Sequence, residues 1–221
     1  MDHERFLREL PELFDDFPRS EHPRDRRFGP ILEQIENLAA ENVLALLNLA
    51  AACLGPDEAY VEVGVLHGAS LIAATLGNED KRIVGIDNFS LRDGARDKVE
   101  ENFSRFRLPP PELLVGDVFE LVPGGALDGA SIGVWYYDAS HDYEAQIEGL
   151  RIAEGHLVPG ALIIVDDTDW ERVDRAMNDY LAATPRARRI LTLDGKDRGS
   201  PQWWEGMQIL VWDDRGQTAG I

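Results

Sequence analysis

The sequence has little cysteine, few basic residues and no long apolar run. Its 221 residues include one cysteine, so no disulfide can form within the chain. Lysine and arginine total 22 against 41 aspartate and glutamate residues, and the net charge of −19 repels nucleic-acid phosphates and anionic lipid. No stretch reaches the roughly 20 apolar residues of a membrane span, and the N-terminus has no apolar signal region. These absences predict a cytoplasmic protein that binds neither nucleic acid nor membranes.

A short β-branched run followed by two glycines is the most informative pattern in the chain. Residues 60–63 are typical of a buried strand, which ends at Gly64. Gly68 follows, and Ser70 lies in the first turn of a predicted helix. A strand, a glycine turn and a helix start together let backbone N–H groups close around a ligand. A plain β–α connection with a chance glycine pair would show the same residues.

Acidic residues near the strand ends indicate which ligand this turn binds. Glu62 lies just before the turn, where its carboxylate repels a pyrophosphate but suits a ligand with an ammonium group. This charge favours S-adenosylmethionine over a dinucleotide. Asp87 comes 25 residues after Glu62, near the spacing at which a carboxylate binds ribose hydroxyls. Asp117 follows the third predicted strand and could accept a hydrogen bond from an adenine amino group.

Strands and helices alternate from residue 31 to residue 212. Apolar residues keep helical spacing over residues 31–54, with a break near residues 41–42. The predicted strands are 60–63, 82–87, 113–115, 132–137, 161–165, 189–193 and 207–212. Alternation of this kind predicts a doubly wound, mainly parallel α/β sheet. Because the last two strands have no helix between them, we expect them to pair antiparallel.

Residues 1–30 precede this alternation and are predicted to form a helical extension and linker. The remaining residues, 31–221, are predicted to form a single domain. Apolar residues suggest a short amphipathic helix interrupted by Pro11, and the charged, proline-bearing residues 19–27 indicate a mobile linker. The extension could cover the site or pair with another subunit, and we expect a homo-oligomer. Trp203 and Trp204 could form an acceptor platform or a subunit contact, and the contact is the preferred interpretation.

Three aspartates at two strand ends form a candidate metal site: Asp138, Asp166 and Asp167. Two carboxylates about 4 Å apart repel by roughly 4 kcal/mol at an effective dielectric near 20, so such a group takes up a proton or holds a cation. Ligands that are all oxygen favour Mg²⁺. Alternatively, Asp167 caps the following helix and Asp138 bonds within a turn.

His141 is the candidate general base, because a histidine one turn beyond a strand end can reach an acceptor hydroxyl. The alternative interpretation is a histidine at a helix start, bonded to Asp142 or to a backbone group.

Five motifs in order resemble the class I S-adenosylmethionine-dependent methyltransferases. They are Glu-x-Gly-x-x-x-Gly-x-Ser at 62–70, Gly-Ile-Asp at 85–87, Gly-Asp at 116–117, Tyr-Tyr-Asp-Ala-Ser-His at 136–141 and Leu-Val-Pro-Gly-Ala-Leu-Ile-Ile-Val-Asp-Asp at 157–167. Within the class, the chain is most similar to the small-molecule O-methyltransferases that include macrocin O-methyltransferase and the cephalosporin-hydroxylase-like proteins. The match covers roughly residues 40–212. Leu66 replaces the middle glycine of the commoner Gly-x-Gly-x-Gly form, a departure that is usual in this subgroup.

The resemblance implies a seven-stranded sheet with a reversed final strand. It also implies that the cofactor contacts come from Glu62, Gly64, Gly68, Ser70, Asp87 and Asp117. Metal-dependent members carry acids or amides at the positions of the three aspartates. We therefore expect methyl transfer from S-adenosylmethionine to a hydroxyl oxygen of a small molecule, assisted by Mg²⁺. A nicotinamide-dependent oxidoreductase and a non-catalytic interaction protein on the same fold are the alternatives.

Overall fold

A seven-stranded sheet forms the centre of the computed structural model, which describes residues 1–195 and 199–213. The strands are β1 (Glu58–Val63), β2 (Arg82–Asp87), β3 (Glu112–Val115), β4 (Ser131–Tyr137), β5 (Leu157–Asp166), β6 (Ala187–Leu193) and β7 (Met207–Trp212). Their order is β3-β2-β1-β4-β5-β7-β6, and only the pairings of β7 with β5 and β6 are antiparallel among these described strands. The prediction of a doubly wound, mainly parallel sheet with an antiparallel last strand is confirmed.

Helices connect the strands and cover both faces of the sheet. They are α1 (His3–Glu9), the 3₁₀ helix η1 (Pro11–Leu13), α2 (Gly29–Gln34), α3 (Glu41–Ala52), α4 (Ala69–Thr75), α5 (Ala95–Arg105), α6 (Val118–Leu121), α7 (Tyr143–Arg151) and α8 (Glu171–Ala183). The predicted break in the 31–54 helix separates α2 from α3. The helix α7 ends at Arg151, and turns at residues 152–156 lead directly into β5. That strand begins at Leu157, earlier than the predicted strand 161–165, and includes Pro159 and Gly160.

Alternating residues of the central strands build two apolar layers. Tyr60, Tyr136 and Ile164 point to the face covered by α3 and α4, whereas Val61 and Trp135 point to the opposite face. Both sets are almost fully buried, since a parallel strand between two helix layers has no face toward water. The described part of the chain contains no helix with the length and apolarity needed to span a bilayer.

The N-terminal residues pack into the same core as the sheet. Phe6, Leu10 and Phe14 are buried in the cluster that contains α3 and α4. Trp203 is 1% exposed, and its indole N–H donates to the backbone oxygen of Pro18 at 2.8 Å. The preferred interpretation of Trp203 as a subunit contact is wrong for this side chain, because its partners lie within its own chain. The predicted domain of residues 31–221 extends beyond the described residues at 196–198 and 214–221.

Candidate active site

A cavity of about 480 Å³ opens at the carboxyl ends of β1, β2, β4 and β5. This volume lies within the range of roughly 300–1,000 Å³ that small-molecule sites occupy. In an open α/β sheet, this edge is where ligands bind. Many residues of its wall lie at the strand ends or in the loops that follow the strands. They include Gly64, Val65, Leu66, His67, Asp87, Phe89, Asp138, His141, Asp167, Trp170, Trp204 and Glu205.

The loop after β1 is shaped by glycines at positive φ. Gly64 has φ +96°, and a Cβ on this residue would lie 1.8 Å from the backbone oxygen of Asp138. The loops after β1 and β4 therefore approach so closely that only glycine fits. Gly68 has φ +86° and directly precedes α4, where a Cβ would press on Val99 at 3.2 Å. The two glycines allow the tightly turned backbone of residues 64–68, here called the glycine cradle, of which residues 64–67 lie on the cavity wall.

Asp87, the last residue of β2, holds this cradle in place. Its Oδ2 accepts hydrogen bonds from the backbone N–H groups of Val65 and Leu66 at 2.7 and 2.9 Å. Its Oδ1 accepts from the N–H of Phe89 at 2.6 Å. A carboxylate offers about four acceptor sites, so Asp87 keeps capacity for a further donor on the cavity side. Its predicted contact with ribose hydroxyls stays a prediction.

Glu62 lies beneath the cradle and is fully buried. Its two oxygens accept hydrogen bonds from the hydroxyls of Ser70 at 2.6 Å and Tyr60 at 2.8 Å. Burial raises the pKa of Glu62 to about 8, against the lowering effect of these two donors. Ser70 lines the cavity and Glu62 does not. Glu62 therefore reaches the cavity through the Ser70 hydroxyl.

Asp117 lies apart from the other candidate residues. It is exposed and caps α6, since its side chain accepts from the N–H of Phe119 at 2.9 Å. The loop that carries it adjoins the end of β2, where the N–H of Gly116 donates to the backbone oxygen of Asp87. The carboxylate is outside the cavity wall, and its predicted adenine contact stays a prediction.

The loops after β4 and β5 bring Asp138, His141 and Asp167 together. Each offers one ligand atom, and the three atoms lie within 4.8 Å of one another. Nε2 of His141 is 2.6 Å from Oδ2 of Asp167. The other oxygen of Asp167, Oδ1, is buried without a hydrogen-bond partner among the described residues. This donor set can hold a divalent cation or orient a basic imidazole.

Asp166 is not part of this group, although the sequence predicted it beside Asp138 and Asp167. Its Oδ2 accepts from the Tyr136 hydroxyl at 2.6 Å, and its Oδ1 accepts from the backbone N–H of Asp167 at 2.9 Å. Burial, reinforced by the neighbouring carboxylates, raises the pKa of both Asp138 and Asp166. Asp166 therefore bonds to Tyr136 and to the backbone of Asp167 and does not line the cavity. His141, which does line it, is the third member of the group.

Asp167 does not cap α8 with its side chain. The N-cap residue of α8 is Trp170, and the cap has no side-chain hydrogen bond. Asp167 has φ +55°, in the left-handed region that aspartate tolerates better than bulky residues do. The alternative that Asp167 caps α8 is therefore wrong. The Asp167 carboxylate instead contacts His141.

The sequence did not indicate Trp170 and Glu205 as site residues. The rings of His141 and Trp170 lie with centroids 4.9 Å apart and planes 33° apart. The indole N–H of Trp170 donates to the carboxylate of Glu205. The Arg172 guanidinium carbon lies 4.8 Å from the centre of the Trp170 ring. The only sign in the sequence that Trp170 belongs to the site is its position three residues after Asp167. Nothing in the sequence indicated Glu205, because its loop reaches the site only in the folded chain.

Comparison with known proteins agrees with this architecture. Residues 61–168 match the family model described as a methyltransferase domain. The cofactor-bound Rv0187 from MTB superposes with a TM-score of 0.66 at 19% identity, covering 96% of each chain. The O-methyltransferase TomG from Streptomyces achromogenes, involved in tomaymycin synthesis and solved with SAM, gives 0.65 at 17% identity, covering 96% of this chain and 99% of that one. An O-methyltransferase from Bacillus cereus in complex with SAH gives 0.63 at 16% identity, covering 93% and 96%.

No match was found among the curated proteins. Residues 61–168 thus match a methyltransferase domain, and the described strands have the order of the class I methyltransferase fold. The resemblance stated from the sequence motifs is confirmed at the level of this class.

Proposed function

We propose that this protein transfers a methyl group from S-adenosylmethionine to a hydroxyl oxygen of a small molecule. One observation carries the proposal: a single cavity has the glycine cradle with Asp87 in one part of its wall and the His141–Asp167 pair in another. A ligand site and a basic group must share one space for a transfer between two small molecules. The SAM- and SAH-bound structures on the same fold support the choice of cofactor.

The residues present fit S-adenosylmethionine. The backbone of residues 64–67 lies on the cavity wall, and Ser70 and Asp87 offer a hydroxyl and a carboxylate there. We assign Asp87 to the ribose and Ser70, supported by Glu62, to the amino-acid end, with Asp117 toward the adenine. When bound, the cofactor supplies a methyl group that its sulfonium charge has already activated. The protein then chiefly positions the two partners.

His141 acts as the general base in this proposal. Asp167 lies 2.6 Å from Nε2 and orients the imidazole, while Trp170 lies against the ring. The imidazole accepts the proton of the acceptor hydroxyl as that oxygen bonds to the methyl carbon and the methyl–sulfur bond breaks. The products are a methyl ether, S-adenosylhomocysteine and a proton held on His141.

The residues also fit a divalent metal. Oδ1 of Asp167 is unpartnered among the described residues, Asp138 and Asp167 offer ligand atoms within 4.8 Å of each other, and hard oxygen donors suit Mg²⁺. We propose that Asp138 and Asp167 hold the ion, with Asp166 fixing the backbone N–H of Asp167 behind them. Bound there, Mg²⁺ would lower the pKa of an acceptor hydroxyl and orient it.

Titration calorimetry tests the cofactor first. We expect S-adenosylmethionine and S-adenosylhomocysteine to bind the wild-type protein, and NAD⁺ not to bind. Asp87→Ala should abolish binding while far-UV circular dichroism stays unchanged. Binding of NAD⁺ alone would support the oxidoreductase alternative instead. Cofactor binding without transfer of radiolabelled methyl to any member of a sugar, polyketide and phenol panel would support the non-catalytic alternative.

A further inference from the structure

Two adjacent tryptophans, Trp203 and Trp204, have different surroundings. Trp203 is an anchor: its ring is buried and lies edge-on to Phe14 at 5.5 Å and to Phe17 at 5.9 Å between centroids. Its N–H donates to Pro18. This anchor fixes the loop between β6 and β7 to the N-terminal segment, so the next residue along the chain has a defined position.

Trp204 is half-buried and lines the cavity. Its φ of +54° lies in the left-handed region, which is strained for a bulky side chain and is retained mainly where the surrounding structure enforces it. Two backbone hydrogen bonds enforce it here, since Ser200 and Trp204 each donate an N–H to the other's carbonyl oxygen, at 3.2 and 3.0 Å. Gly199 packs beneath the ring, because a Cβ there would be 3.6 Å from it.

The Trp204 indole is available to a ligand, unlike the other tryptophan of the cavity wall. Trp170 is occupied by contacts with His141, Arg172 and Glu205. Trp204 makes no ring–ring or cation–π contact with any residue in the described part of the chain. A rigid aromatic face on a cavity wall contributes binding area at little conformational cost.

We propose that Trp204 is an acceptor-binding residue whose indole stacks on a flat ring of the acceptor, which defines the acceptor as a hydroxylated aromatic compound. This inference rests on the proposed function, because it assigns the substrate class of the same cavity. The strained backbone and the anchor at Trp203 hold the half-buried Trp204 indole on the wall of the cavity where His141 lies.

Two diols test the proposal on the protein saturated with S-adenosylhomocysteine. Catechol and cis-1,2-cyclohexanediol carry the same pair of neighbouring hydroxyls, but only catechol is flat. We expect calorimetry to show that Trp204→Ala and Trp204→Leu weaken catechol binding about tenfold, whereas Trp204→Phe weakens it less than about threefold. The affinity for cis-1,2-cyclohexanediol, and that for S-adenosylhomocysteine, should be the same in all four proteins.

The phenylalanine and leucine variants keep the test decisive if Trp204→Ala does not fold, since both retain a large apolar side chain. Equal catechol affinity in the leucine and phenylalanine variants would overturn the proposal. So would an equal loss for both diols, or a wild-type complex that does not bind catechol. Failure of S-adenosylhomocysteine to bind the wild-type protein would instead overturn the proposed function, and this inference with it.

Discussion

Nε2 of His141 lies 2.6 Å from Oδ2 of Asp167, although the two residues follow different strands of the sheet. The contact exists because β4 and β5 pair in parallel, so that their carboxyl ends deliver both loops to one point. Contact with this carboxylate restrains the position of the imidazole. The pair therefore has the geometry of a general base and its orienting group.

His141→Ala should lower kcat for methyl transfer by at least about 100-fold, because the acceptor hydroxyl loses its proton acceptor. The dissociation constant of S-adenosylmethionine should not change, since His141 lies in a different part of the cavity wall from the glycine cradle. His156→Ala is the control, because His156 lies outside the cavity. Equal rates for the two variants would remove His141 from the mechanism.

Asp167→Asn should lose most of the transfer rate while cofactor binding and stability are retained. Asparagine tolerates the left-handed backbone at this position, and removing one charge relieves repulsion from Asp138 and Asp166. We expect a change in the free energy of unfolding between zero and a gain of about 1 kcal/mol for the metal-free protein. Asp167→Ala should be less stable than Asp167→Asn, because alanine is strained at φ +55°. Urea unfolding of both variants measures the difference.

If Asp138 and Asp167 hold Mg²⁺, EDTA should abolish methyl transfer by the wild-type protein, and added Mg²⁺ or Mn²⁺ should restore it. S-adenosylmethionine should bind equally well in EDTA, because in this proposal the ion contacts the acceptor and not the cofactor. Full activity in EDTA would leave His141 as the only activator of the acceptor.

The order of strands and helices could be predicted from the sequence because the central strands β1, β4 and β5 are mostly buried. Residues 60–63 and 162–165 are uninterrupted apolar runs apart from Glu62, and such runs are typical of parallel strands. The end of α7 was less predictable, since turns and the strand both follow it within a few residues. The packing of residues 1–30 depends on contacts with Trp203, which is distant in the sequence.

The candidate site was predictable only where residues lie at strand ends. Gly64, Asp87, Asp138 and Asp167 are all on the cavity wall because parallel strands end at one edge. Asp166 and Asp167 are adjacent and point in different directions, and the sequence does not show which of the two reaches the cavity. The contribution of Glu205 comes from a loop after β6, whose course depends on tertiary packing.

Gly64→Ala should prevent cofactor binding and destabilise the fold. The added Cβ would lie 1.8 Å from the backbone oxygen of Asp138, so the ends of β1 and β4 must separate. We expect a loss of about 3 kcal/mol or more in the free energy of unfolding, measured by urea titration. Gly129→Ala is the matched control: its φ is +74°, but no atom lies within 4 Å of the added Cβ. Its loss should be about 1 kcal/mol from backbone strain alone.

Trp170 and Glu205 should act as positioning residues for His141. Trp170→Phe keeps a ring against the imidazole but loses the N–H that Glu205 accepts. Trp170→Ala removes both, so it should lower kcat by more than Trp170→Phe does, with the KM for S-adenosylmethionine unchanged. Glu205→Gln should largely retain activity, since its amide oxygen can still accept the indole N–H, whereas Glu205→Ala should not. A parallel loss in kcat and cofactor affinity would indicate a general structural role.

Glu62→Gln should make the stability of the protein less dependent on pH. Glu62 has a pKa of about 8 in the folded state, raised by burial, against a value near 4.5 for an unperturbed glutamate. Between these values the folded protein keeps a proton that the unfolded chain has released. The free energy of unfolding therefore falls as pH rises through this window, by up to about 1.4 kcal/mol per pH unit from this group.

Glutamine is neutral throughout this pH window, so the free energy of unfolding of the variant lacks the part of the fall that comes from Glu62. Urea unfolding from about pH 5.5 to about pH 8 should show the variant gaining stability relative to the wild-type protein as pH rises. The exposed residue Glu120 provides the control, since Glu120→Gln should leave the wild-type pH profile unchanged. Parallel profiles for Glu62→Gln and the wild-type protein would mean that Glu62 is ionised in the fold.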